Sequence, residues 1–116
     1  MPVQTVRNIL IASSAVTDLV GQRIAPIQTA QNEALPNVVL TGISVVPQNH
    51  LNGAPSLDSN RVQVDIYAET YAEVRAVADA CRNALEAGNC VMDNEFDGFE
   101  PDVSEYRVTQ DFLVWT

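Results

Sequence analysis

From Arg61 to Ala68 the chain alternates without a break. Val62, Val64, Ile66 and Ala68 fall on one side of an extended backbone, and Arg61, Gln63, Asp65 and Tyr67 fall on the other. Successive side chains of a strand point to opposite faces, so this pattern specifies a strand with one buried face. Thr70 to Glu73 then has the form of a capping box, in which the threonine and glutamate side chains each satisfy an amide left without a partner at a helix start. The helix it opens carries an apolar stripe of Val74, Val77, Ala78, Cys81 and Leu85. Arg75 with Asp79 and Arg82 with Glu86 are spaced to pair across one turn, and Gly88 is the expected stop. Ala76, Ala80 and Ala84 leave room for close packing on a sheet.

The remaining segments complete an α+β order. Val6, Ile9, Leu10, Val16, Leu19 and Val20 recur at helical spacing, with a break near Ser13 to Ala15 and a stop at Gly21. Arg23 to Ile27 reads as a short extended piece that Pro26 confines to a sheet edge, and Gln28 to Pro36 as a polar loop. Asn37 to Val46 is β-branched and pairs in expectation with Arg61 to Ala68 as an antiparallel hairpin. Its tip, Pro47 to Asn60, is long and carries the turn formers Asn52, Gly53 and Pro55. Cys90 to Met92 reads as a short strand and Tyr106 to Trp115 as a longer terminal one. The expected architecture is one domain over residues 1–116, with helices packed on one face of a mainly antiparallel sheet.

Composition narrows the chemistry. All six basic residues are arginine, against 15 acidic residues, for a net charge of -9. Without lysine there is neither a Walker phosphate loop nor a Schiff-base amine. His50 is the only histidine, so sites built on two imidazoles are excluded within one chain. A sequence pI near 4.2 with scattered arginines gives no footprint for gripping nucleic acid. No segment approaches the roughly 20 apolar residues needed to span a bilayer. The apolar run Ile9 to Ala12 is short for a signal peptide and reads as part of an amphipathic helix. Cys81 and Cys90 lack CxxC spacing, which points to reduced thiols and a cytoplasmic setting.

Asp93, Glu95, Asp97 and Gly98 copy the start of a calcium loop, yet Ser104 occupies the twelfth position, where a bidentate glutamate is required. The acidic run Asp93, Glu95, Asp97, Glu100, Asp102 and Glu105 reads instead as a solvated loop. Mutual repulsion would hold it extended unless cations or a neighbouring chain's arginines compensate. His50 lies among Ser44, Ser56, Ser59 and Asp58, but no serine sits on a nucleophile elbow, so no catalytic site is expected. Cys81 belongs to the stripe that faces the core. No cofactor or metal is expected. Asp65 and Asp111 stand in β-rich stretches where aspartate is disfavoured, and each calls for solvent, an arginine or a subunit interface.

Taken together, several segments resemble the tail completion, or tail terminator, family of long-tailed bacteriophages and prophages. They are the opening helix; Val20-Gly21-Gln22-Arg23-Ile24; Leu35-Pro36-Asn37-Val38-Val39; Arg61 through Ala68 with Thr70-Tyr71 and the long helix; and Tyr106-Arg107-Val108 through Asp111-Phe112 to Trp115. The resemblance runs nearly end to end. It implies a non-enzymatic virion subunit that assembles in the host cytoplasm into a ring, commonly of six copies, on the head-proximal end of the tail tube. Such a ring stops tube polymerisation and offers a surface to the head-completion or connector protein, while DNA passes without specific binding. On that reading the tip residues Asn49, His50, Leu51, Asn52 and Gly53, and the pair Arg61 and Asp65, are candidate contacts to neighbouring subunits, with the acidic run as a further surface. The rival expectations are another head-tail connector or tail-tube component, and a small calcium-binding module.

Overall fold

The computed structural model describes residues 2–21, 23–26, 35–46, 59–100 and 105–115. Its elements are α1 (Pro2–Ala12), α2 (Ser14–Val20), β1 (Ile24–Pro26), β2 (Asn37–Val46), β3 (Ser59–Ala68), α3 (Tyr71–Ala87), β4 (Val91–Glu100) and β5 (Glu105–Trp115). The strands form one sheet in the order β1-β2-β3-β5-β4. β1 and β2 run parallel, and the other three pairings are antiparallel. This is the α+β architecture that the alternation and the capped helix imply, with one parallel pair added at an edge.

Strand β3 lies at the centre and its pleat sets the core. Val62, Val64, Ile66 and Ala68 are fully buried, and register places Val38 and Leu40 of β2 and Val108 and Phe112 of β5 on the same face. Val6 and Leu10 of α1, Val16 and Val20 of α2, and the α3 stripe close over them in a single apolar cluster. The three helices therefore cover one face of the sheet. Among the described residues Phe112 is the largest fully buried side chain.

The helix ends show how the layers meet. Thr70 Oγ1 accepts from the Glu73 amide at 3.2 Å, the threonine half of the expected capping box. At the other end of α3 the left-handed residue is Asn89, with φ of 68°, whereas Gly88 has φ of -88°. The expected glycine stop is thus in place for a different reason: a Cβ at Gly88 would lie 2.8 Å from Ile9 Cδ1, so α1 packs directly on that position. Cys81 and Cys90 are both buried and free. Among the described residues no helix is long and apolar enough to cross a membrane.

The largest departure from expectation is the acidic segment. Asp93 to Glu100 is not a solvated loop but most of the ten-residue edge strand β4, paired antiparallel with β5. The brief strand expected at Cys90 to Met92 is only its beginning. Glu105 opens β5, opposite Glu100, and Asp102 lies outside the described residues.

Candidate functional site

Strand β4 can carry so much negative charge because its neighbours supply cations. A β-bulge between Met92 and Asn94 resets the alternation. Beyond it, Glu95, Asp97 and Phe99 lie on the helix-bearing face, opposite Gln110, Val108 and Tyr106 of β5. Asn94, Phe96 and Gly98 lie on the other face, where no helix packs among the described residues. Asp93, at the bulge, meets Arg61 of β3 at 2.6 Å. The run that imitates a calcium loop is therefore pleated, and its carboxylates diverge to opposite faces of the sheet.

On the helix side, Arg75 is the focus. Its guanidinium lies 3.1 Å from Asp79, 3.6 Å from Glu95 and 3.3 Å from Asp97, and Tyr71 Oη donates to Asp97 at 3.1 Å. Burial alone would lower the Arg75 pKa, but Glu95, Asp79 and Asp97 outweigh it and leave the pKa raised. Arg61 is raised as well, first through its hydrogen bond to Asp93. Tyr71 is raised chiefly by its hydrogen bond to Asp97. The expected compensation by cations or a neighbouring chain is thus met within the chain. Replacing Arg75 by alanine should lower stability by about 1 kcal/mol in low salt, the upper end for partly exposed ion pairs. Urea melts in added sodium chloride should recover part of that loss, since Glu95, Asp97 and Asp79 would otherwise repel one another.

Gln110 anchors the same strand from beneath. It is fully buried, and its amide nitrogen donates to the Ala78 carbonyl at 2.9 Å and to Glu95 at 2.8 Å, tying β5 to α3 and β4. On the opposite face, Arg107 lies above Gly98, where a Cβ would come 3.3 Å from Arg107 Nη2. Asp65, at 8 % exposure, accepts from Thr109 Oγ1 at 2.6 Å and from Gln63 Nε2 at 2.7 Å. Arg61 and Asp65 thus share a face, but each is engaged by a different neighbour in its own sheet. Asn49, His50, Leu51, Asn52 and Gly53 lie outside the described residues, and Glu100 is described in its backbone only. Among the described residues no group of three or more His, Cys, Asp or Glu side chains is placed to hold a metal ion.

Sequence reasoning missed the apolar content of this edge. Val91, Phe96 and Phe99 of β4 are each about half exposed, as is Tyr71 at the start of α3. Phe99 and Tyr71 flank Tyr106, with ring centroids 4.9 and 6.0 Å away. The signal was present, since two phenylalanines stand among the acids, but the bulge hides their phase.

Comparison with known proteins adds three findings. Residues 4–116 match the family described as "Tail completion protein gp17". No curated protein matches the sequence. Among solved structures, a chain of the "Virion of native gene transfer agent (GTA) particle" is similar in fold, with a TM-score of 0.77 at 14% identity, covering 97% of this chain and 92% of that one.

Proposed function

The chain belongs to the tail completion protein gp17 family, and from that premise we propose that it caps the head-proximal end of a phage-type tail tube as a ring. It is a structural tail component of a phage-like virion. In the proposed role, copies of the chain, six in the usual arrangement, end tube polymerisation and present the surface on which a head-completion or connector protein sits. The role is non-enzymatic, and assembly takes place in the host cytoplasm. The observation that carries this reading is the family match, which spans residues 4–116.

Physical features of the chain support it. A subunit of 116 residues at -9 gives a ring whose summed charge repels DNA, so a genome can traverse it without adhering. The residues that join β2 to β3, which include Asn49 to Gly53, are the proposed contact to the tube or to adjacent subunits. Arg61 and Asp65 fit the same role less well, because both already have partners within the sheet.

The test is tail assembly with electron microscopy. Tubes grown with the protein should end at a defined length, close with a ring and accept heads. Deleting Leu51 to Pro55 should leave a folded chain that fails to cap. Tails of normal length that still join heads would remove the tip from the contact. Open-ended polymers of the chain itself would identify a tube protein instead.

A further inference from the structure

We propose that neighbouring copies join edge to edge, strand β4 of one copy adding to the outer half of β2 in the next, so that a single sheet continues around the ring. The proposal rests on the ring reading above and specifies the surface that builds it.

The two edges of the sheet are unlike. At one side β1 covers only Val38 to Leu40 of β2, and Thr41 to Val46 have no strand beyond them among the described residues. The short β1 is closed off by a side chain. Arg23 O accepts from the Val38 amide, which turns the next carbonyl, Ile24 O, away from β2, and Arg7 Nε donates to it at 2.9 Å. At the other side β4 runs ten residues with its outer backbone groups unpaired among the described residues. A long open edge is a template for another strand.

Side chains and direction both favour a second copy as the occupant. Val91, Phe96 and Phe99 stand exposed along β4, and Ile43 is 48 % exposed at the bulge of β2, so each edge offers apolar surface to the other. Charge is polarised across the sheet in the same sense. From Arg61 onward, which covers β3, α3, β4 and β5, the sequence has twelve acidic and four basic residues; before it there are three and two. Arg7 and Arg23 lie on the β1 flank, where they donate to backbone carbonyls and, among the described residues, have no carboxylate within ion-pair distance. The acidic edge thus faces the less acidic, arginine-bearing flank when copies are arranged head to tail. The antiparallel steps β2 to β3, β3 to β5 and β5 to β4 make β2 and β4 run in opposite directions. Copies related by rotation about a ring therefore meet in the antiparallel sense. The contact uses two different patches, which is the condition for a closed ring rather than an isolated two-fold dimer. The bulge on each edge disfavours indiscriminate pairing and leaves the register to these side chains.

Two single variants test it, Phe96→Asp on β4 and Ile43→Asp on β2, with the full chain measured by light scattering, in the presence of tail tubes where free wild type is monomeric. Each variant alone should associate about thirty-fold or more weakly than wild type, the scale of losing a central apolar contact. Mixed one to one, the variants should form dimers that grow no further, because each retains one intact edge. Variants that still form rings, or a mixture that stays monomeric while wild type forms rings, would overturn the edge assignment and leave the ring reading standing. A wild type that forms no ring even on tubes would overturn the ring reading itself. Circular dichroism reports folding, and if either aspartate unfolds the chain, Phe96→Ser and Ile43→Ser are read by the same outcomes.

Discussion

Replacing Phe112 by alanine should cost about 3–5 kcal/mol of folding stability, a large share of the roughly 5–15 kcal/mol that a domain possesses. Phe112 is fully buried, and register sets it between Val62 of β3 and Met92 of β4 on the face that the helices cover. Its ring therefore fills space that sheet and helix layers share, and neither layer can collapse inward without moving the other. A urea melt should show the midpoint falling sharply with an unchanged slope, so that the loss reports stability and not a looser native state. A cost below about 1 kcal/mol would mean that the helices close over the gap and that the core is less fixed than its burial indicates.

The second large effect is alkaline. Cys81 is fully buried on α3, and burial pushes its thiol up from an ordinary 9.0 to about 12. Between these values the unfolded chain gives up a proton that the folded chain keeps. Stability is then complete below pH 9 and declines as pH rises toward 12, by about 1.4 kcal/mol per pH unit and about 4 kcal/mol over the window. Cys81→Ala removes this dependence while opening a small cavity. The variant should be less stable than wild type at pH 7, equal it near pH 10 and exceed it above, in melts run with reductant. Cys90, raised by burial in the same direction, is retained in both proteins, so the difference isolates Cys81. Parallel pH profiles for the two proteins would contradict this account.

What the sequence discloses depends on whether a pattern runs unbroken. β3 and α3 are legible because eight residues alternate without interruption and a capped stripe follows, each rule satisfied locally. β4 was not, for two reasons. Aspartate and glutamate are poor strand residues on average, and the bulge at Asp93 shifts the phase, so Glu95, Asp97 and Phe99 share a face with Met92 and not with Val91. The arginines that make the strand tolerable come from β3 and α3, whose proximity is a property of the fold. The same limit applies to Arg61 and Asp65. Four residues apart on a strand they are separated by roughly 13 Å. Their partners, Asp93 and Thr109, lie on other strands. The parallel pairing of β1 with β2 is likewise a property of the whole sheet, which no local signal encodes.

The place of β3 has a consequence for the order in which the chain acquires structure. As the middle strand of both the sheet and the sequence, it is the shared seat of everything made before it and everything made after. During synthesis, α1, α2, β1 and β2 emerge first with apolar faces and no sheet to rest on. β3 gives β2 its neighbour, but β3 must itself wait for β5, whose Thr109 meets Asp65 across 44 residues of chain. Closing that span is entropically slow. The other described elements are therefore on hand before the core can shut, and β5 is the strand that completes it.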